Sequence, residues 1–539
     1  MEVCEANFHC QRCAEASEWR LTYMLELKNV EIRLTTNDRV LVEDFSFILH
    51  RGDKAVIIGE EGNGKSTLLK LIYCEDDVSA YCQYSGQIVK KGRLAYLPQM
   101  FPKEDLGLCL NQYFADVEIH RHVHILARLG LTLDFVMSHQ SIRTLSGGEK
   151  IKIQLAKIMI AEPDIILLDE PTNDIDIAAL IWLEEFINNC DQPVLYISHD
   201  ETLIENTANI IIHMEQLVRK TKSKITVAYS SYKKYVKARG IAYDKQMMIA
   251  KKQRSDSKAQ LEKWKQIHDK VEHKQNMVSR QDPGTARLLK KKMKAVKSTG
   301  KRLEKQTDDF LDIPQIEEAI LTQFDPALTI AHGKMILSLN LDKLSVGVGD
   351  MGVAKPSQDS RQLSGPITLE VSGPQRVGIV GRNGTGKSTL LKIIWDELRE
   401  RTDITAAYMP QDYTDVLDYD QPVIEYLAAD AHKDTITKVR TYLGSMKFNH
   451  DEMLGTIGKL SGGQKAKILF LDMVLCGANV LVLDEPTRNF SPLSAPEIRK
   501  TLVNFGGAII SVSHDRKYLE EVCDIVYELT QDGIFATLK

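Results

Sequence analysis

The chain has 539 residues, 43 % of them apolar and 27 % charged, with a net charge of -5 at pH 7. That balance excludes disordered and fibrous classes, no run reaches the ~18 apolar residues of a membrane span, and no charged-then-apolar leader is present. A cytoplasmic location is expected, and nine scattered cysteines form no disulfide framework there.

Residues 1–23 precede the first predicted strand and read as a disordered extension; Cys4, His9, Cys10 and Cys13 lack the spacing of a zinc site. Residues 24–220 then form a first α/β body. Its run Lys54 to Gly59 is a buried strand, and Ser66 to Tyr73 is a helix. Between them Gly59-Glu-Glu-Gly-Asn-Gly-Lys-Ser66 matches G-x4-G-K-[ST]. Gly59, Gly62, Asn63 and Gly64 form a loop whose backbone N–H groups close on phosphate oxygens. Lys65 reaches the outer phosphates, Ser66 binds Mg²⁺, and Thr67 belongs to the same nucleotide-binding set. Glu60 and Glu61 put negative charge in this loop, which is expected to weaken or retune the site. Downstream follow Tyr96-Leu-Pro-Gln99, Leu145-Ser146-Gly147-Gly148, an apolar strand ending Asp169-Glu170-Pro-Thr172, and Ser198-His199-Asp200.

Residues 221–335 form a linker. From Ser231 to about Val278 there is no Pro and a single Gly, which predicts a helix about 70 Å long at 1.5 Å per residue. Pro283-Gly284 turns the chain and a second, shorter helix runs from Thr285 to about Phe310, with residues 276–285 as the hairpin tip. Residues 219–305 carry 27 Lys+Arg against 7 Asp+Glu, a local charge of +20 inside an otherwise acidic chain. Such clustering calls for a polyanionic partner. The apolar seam of a coiled-coil strut is thin: Ile241, Met248, Leu261, Trp264, Ile267, Val271 and Val278.

Residues 336–539 repeat the first body. Gly381-Arg-Asn-Gly-Thr-Gly-Lys-Ser388 contributes Gly381, Asn383, Gly384, Gly386, Lys387, Ser388 and Thr389. Gln411, Ser461-Gly462-Gly463, Asp484-Glu485 and His514 follow in the same order as their counterparts. The Ser of each Leu-Ser-Gly-Gly precedes the Asp by 23 residues (Ser146 to Asp169, Ser461 to Asp484), and that Asp precedes the His by 30 in both bodies (His199, His514). Asp169 and Asp484 are placed to hold Mg²⁺ together with Ser66 and Ser388. Gln99 and Gln411 sense the metal and terminal phosphate, Glu170 and Glu485 polarise the attacking water, and His199 and His514 contact the terminal phosphate.

The Leu-Ser-Gly-Gly segments make the chain resemble the ATP-binding cassette ATPases. That resemblance implies ATP and Mg²⁺ as cofactors and a monomer folded into one head-to-tail sandwich. One ATP site would then pair Lys65 with Ser461, Gly462 and Gly463, the other Lys387 with Ser146, Gly147 and Gly148. Two cassettes joined by a basic hairpin without a membrane domain look like the ABC-F proteins. Thr487-Arg-Asn-Phe-Ser-Pro-Leu-Ser494 is similar to the corresponding string of the ABC-F factors that protect ribosomes from pleuromutilins, lincosamides and streptogramin A. The partners so implied are the 70S ribosome, through 23S rRNA at the tRNA exit site, and P-site tRNA, with no membrane and no DNA. A housekeeping ABC-F factor that relieves stalled ribosomes is the alternative, and an exporter ATPase subunit a weaker one. The family's adenine-stacking aromatic is missing from Arg33 to Val40.

Overall fold

The structure, a computed structural model, describes residues 23–36, 38–217, 222–277, 283–308, 324, 328–347, 360–428 and 432–537. The expected extension up to residue 22 and the tip residues 278–282 lie outside these ranges. Contacts divide the chain into two units, Met1–Tyr232 with Glu317–Lys539, and Lys233–Ile316.

In the first unit each α/β body is built on a six-stranded sheet. The first runs Leu94–Leu97, Ile165–Asp169, Val194–Ile197, Lys54–Ile58, Ile210–Gln216, Lys222–Ala228; all neighbours are parallel except the last pair. The second repeats that order with Ala406–Met409, Val480–Asp484, Ala508–Val512, Arg376–Val380, Ile525–Thr530 and Gly533–Thr537. Ile165–Asp169 and Val480–Asp484 are buried at every position, as strands covered on both faces must be. A parallel sheet gathers its strand ends along one edge, so the loops after Ile58 and Val380 and the acidic pairs after Leu168 and Leu483 come together there. An antiparallel sheet of Tyr23–Leu34, Val40–His50 and Cys82–Lys90 flanks the first body.

The two bodies meet through side chains of opposite charge. Arg499, 3 % exposed, places Nη2 2.7 Å from Glu201 Oε2 and Nε 2.7 Å from Glu521 Oε2. Arg516 pairs with Glu184 and lies 3.6 Å from Asp200, and Lys517 Nζ is 2.5 Å from Glu205 Oε1. In the pairs that cross the bodies the first supplies the acids and the second the bases, while Glu521 holds Arg499 from within its own body. Tyr232, fully buried, donates to the Pro492 carbonyl at 2.8 Å.

The second unit holds two helices, Tyr232–Met277 (46 residues, beginning at the unit boundary) and Pro283–Asp308 (26 residues). Trp264 Nε1 donates to the Val296 carbonyl at 2.8 Å, and the Trp264 ring lies over Gly300, where a Cβ would come within 2.7 Å of it. Leu289 and Met293 are buried, but Ile241, Met248 and Ile267 are 60 %, 74 % and 53 % exposed. The seam read from the sequence is therefore only partly internal. A helix of 26 residues covers only part of one of 46.

Candidate functional site

Both phosphate-binding loops are built alike. Gly64 and Gly386 adopt φ of 89° and 95° just before helices Lys65–Tyr73 and Lys387–Arg399. A Cβ on Gly59 would sit 2.2 Å from the Met214 carbonyl oxygen, and one on Gly381 2.4 Å from that of Leu529, so the close approach needs glycine. Lys65 Nζ donates to the Gly59 and Glu60 carbonyls at 2.8 and 3.0 Å, and Lys387 Nζ to those of Gly381 and Arg382 at the same distances. Each ammonium is held inside its own loop. Asn63 Nδ2 reaches the Met214 carbonyl at 3.0 Å.

The acidic pairs lie beside these loops. Ser66 donates to Asp169 Oδ1 at 2.8 Å and Tyr96 to Asp169 Oδ2 at 2.9 Å. Ser388 hydrogen-bonds Asp484, whose Oδ2 is buried with no hydrogen-bond partner among the described residues. Burial raises both aspartates, and the serine hydroxyls only partly offset it. A buried carboxylate oxygen without a partner, next to a serine hydroxyl, suits a hard divalent cation, so the donor set fits Mg²⁺.

The glutamates that follow have the same backbone and different surroundings. Glu170 and Glu485 hold φ of 49° and 52°, a left-handed conformation at a non-glycine position in both bodies. Glu170 accepts from Gln99 Nε2 at 2.9 Å and Asn173 Nδ2 at 2.8 Å, with His199 Nε2 at 3.3 Å. Burial pushes Glu170 up, but His199 and Lys65 outweigh it and hold the carboxyl at about 2. Burial also raises Glu485, here joined by the Asp484 charge, and the carboxyl goes up to about 8. His514 Nε2 is 3.8 Å from Glu485; burial and then Lys387 lower this imidazole to about 4. His199 Nδ1 contacts the Phe490 carbonyl of the other body at 2.9 Å, whereas His514 Nδ1 is buried with no partner among the described residues.

Ser146 and Ser461 cap the helices Gly147–Ile160 and Gly462–Leu475 through reciprocal bonds with Glu149 and Gln464. A cavity of about 1480 Å³ is lined by Ser146 and Gly147 from the first body and by Asn383, Gly384, Gly386, Lys387, Ser388, Thr389, Gln411, Asp484, Glu485 and His514 from the second. Gln99, Glu170 and His199 reach the same cavity. Gly59 to Thr67 and Ser461 to Gly463 are not on its wall. They meet elsewhere, where Glu61 Oε2 accepts from the Gly463 N–H at 2.7 Å. Gly148 lies within the helix, where an added Cβ would come 2.8 Å from Ala179.

Asp174, Arg488 and two strand tyrosines, given no role from the sequence, complete the picture. Asn383 Nδ2 donates to the Asp174 carbonyl at 2.6 Å and Arg488 Nη2 to Asp174 Oδ1 at 2.8 Å, both across the two bodies. Tyr96 and Tyr408 occupy matching strand positions, stacked on Tyr73 and Trp395. Their repetition ahead of each Pro-Gln was the available signal. Where a stacking aromatic was expected, Arg39 donates to the Gly62 carbonyl at 3.2 Å.

Comparison with known proteins agrees with this geometry. The family described as "ABC transporter" matches residues 42–173 and 365–488. The chain is 27 % identical to the "Probable ATP-binding protein YheS" of Escherichia coli (strain K12), across 94 % of this chain and 78 % of that protein. It is 29 % identical to the "Probable ATP-binding cassette sub-family F member 3 homolog" of Encephalitozoon cuniculi, across 93 % and 80 %. Among solved structures, a complex of archaeal ribosome recycling factor aABCE1 with stalk protein aP1 aligns with a TM-score of 0.55 over 94 % of this chain and 90 % of that one, at 15 % identity, a likeness of fold. Two tandem phosphate-binding loops, each followed by a Leu-Ser-Gly-Gly helix and an Asp-Glu strand end, together with these matches, make the chain a tandem pair of ABC transporter ATPase domains, which bind and hydrolyse ATP.

Proposed function

We propose that the chain is an ABC-F ATPase that binds the ribosome. In this reading its hairpin enters the tRNA exit site beside P-site tRNA, and the chain dislodges pleuromutilin, lincosamide and streptogramin A drugs from the peptidyl-transferase centre. One observation carries the ribosomal reading: the element between the two ATPase domains is a pair of helices of 46 and 26 residues in a stretch with 27 basic and 7 acidic residues. Lys290, Lys291, Lys292 and Lys294 are exposed, as phosphate contacts require. Among the described residues no helix is long and apolar enough to cross a membrane. A relative named as a sub-family F homolog supports the ABC-F assignment. The string Thr487 to Ser494 supports the drug-protection subtype by resemblance.

The chemistry asked of the site is positioning and charge neutralisation. Lys65 and Lys387 turn from their own loop carbonyls to the phosphates. Asp169 with Ser66 and Asp484 with Ser388 would hold Mg²⁺, aided by Gln99 and Gln411; the ion neutralises phosphate charge when bound. Glu485, which follows Asp484 at the strand end, orients the attacking water, and His514 stands 3.8 Å behind it. Glu170 with His199 is the corresponding pair of the other body.

Ribosome co-sedimentation against salt tests the contact. Affinity should fall steeply with log salt, by roughly 0.7 to 0.9 in log K per phosphate contacted, and charge reversal at the four lysines should flatten that slope. A slope indifferent to these positions places the contact elsewhere. Drug-susceptibility testing on expression decides between protection and a housekeeping role in stalled ribosomes. Shortening residues 277–284 to a Gly-Ser turn should leave ATPase activity and co-sedimentation nearly intact and remove protection in lincomycin- or tiamulin-inhibited extracts.

A further inference from the structure

The internal repeat aligns Glu60-Glu61 of the first phosphate-binding loop with Arg382-Asn383 of the second. In the second loop Asn383 stops at the Asp174 carbonyl, and the helix N-terminus at Ser146 and Gly147 stays on the cavity wall facing Lys387. In the first loop the two carboxylates reach the other body. Glu60 accepts from the Ser491 hydroxyl at 2.7 Å and from that of Ser494, with Lys467 Nζ at 3.9 Å. Burial raises this carboxyl, but Lys467 and the two hydroxyls more than offset it and keep Glu60 ionised.

Glu61 Oε2 takes the Gly463 N–H at 2.7 Å, at the N-terminus of the 14-residue helix Gly462–Leu475. First-turn N–H groups that no helix carbonyl can reach, together with the aligned peptide dipoles, make such a terminus favour an anion. Glycine at 462 leaves room for the carboxylate, since a Cβ there would lie 3.1 Å from Glu61 Oε2, whereas glycine at 463 is required by the Asn489 carbonyl oxygen, 2.7 Å from where its Cβ would be. The anion facing this helix is thus part of the chain. At the equivalent helix of the second site that place is open to a ligand.

We propose that Glu60 and Glu61 form a built-in anionic latch at the first nucleotide site. Glu61 takes the Gly463 N–H that a terminal phosphate would otherwise take, and Glu60 anchors the loop to Ser491, Ser494 and Lys467. The first site then closes without a triphosphate and does not discriminate a nucleoside triphosphate from a diphosphate. The second site keeps its helix N-terminus for the terminal phosphate and does discriminate. This rests on both loops binding nucleotide and is independent of any ribosomal partner.

The test isolates each site in the full-length chain and titrates fluorescent ATP and ADP analogues with Mg²⁺. Lys65→Ala leaves the second site, and it should prefer the triphosphate. Lys387→Ala leaves the first site, and it should bind both nucleotides within about twofold. Adding Glu61→Gln, which keeps the shape and removes the charge, should raise the triphosphate preference of the first site roughly 10-fold, the size of one charge-assisted hydrogen bond. Glu61→Asn, the residue of the second loop, should do the same. Triphosphate preference in Lys387→Ala equal to that in Lys65→Ala, or no change on either Glu61 substitution, overturns the latch. Absence of triphosphate binding in Lys65→Ala would instead overturn the nucleotide reading itself.

Discussion

The two nucleotide sites share a backbone and differ in where their charges go. At the site of Lys387 the glycine-rich loop carries Arg382 and Asn383, the facing helix begins on an open cavity, and Glu485 is raised to about 8. At the site of Lys65 the loop carries two glutamates tied to Gly463, Ser491 and Ser494, and Glu170 is held at about 2 by His199 and Lys65 against its burial. Repetition of motif preserves geometry; two changed residues in one loop change which ligand that geometry accepts. The lesson is that motif identity specifies a fold of site and local charge specifies its task.

The strongest attack on this comparison removes each glutamate singly. If turnover is carried at the open site, Glu485→Gln should cost about 10³-fold in steady-state phosphate release, within the usual range for a water-orienting base. Glu170→Gln should stay within about threefold of the parent, and the double substitution should abolish turnover. Equal losses from the two single substitutions would dissolve the distinction.

A second experiment breaks the contact that holds the sites together. Arg499→Met leaves Glu201 buried with Lys517, 3.6 Å away, as its remaining cation and should destabilise the first unit by about 3 kcal/mol in denaturant unfolding, the low end for breaking a buried pair. Adding Glu201→Gln should recover part of that loss, because the under-compensated charge is gone.

The smallest effect is expected at Asp174, whose pairing with Arg488 is two-thirds exposed on the Asp174 side. Asp174→Ala should weaken ATP affinity at the second site by less than about fivefold, as exposed ion pairs contribute about 0.2–1 kcal/mol. The bond from Asn383 to the Asp174 carbonyl survives the substitution. A larger loss would mean that the ion pair, not that backbone contact, orders the loop.

Much of this was legible because phosphate-binding loops are local. Gly59 to Ser66 and Gly381 to Ser388 carry their conformation in their own glycines, and the strands ending at Asp169 and Asp484 announce themselves as unbroken apolar runs. The destination of Glu61 was not legible. Its sign predicted a disturbed site, but its partner, Gly463, is 402 residues away and appears only when the two bodies pack. Asn173 and Tyr96 were passed over for a similar reason, since each acts by orienting another side chain. In the hairpin the helices were legible but the packing was not: periodicity assigned Ile241 and Met248 to a seam, while among the described residues the long helix is buried at positions such as Ala250 and packs Trp264 against Val296 and Gly300.

The acidic and basic faces that meet around Arg499 also govern which halves can associate. Glu184, Asp200, Glu201 and Glu205 belong to the first body, and Arg499, Arg516 and Lys517 to the second. Two first bodies brought together would oppose acid to acid, and two second bodies base to base. Each half is thereby disfavoured as the mate of its own twin, so a first body pairs with a second body and not with a copy of itself, a selectivity that duplicated domains of matching charge would lack.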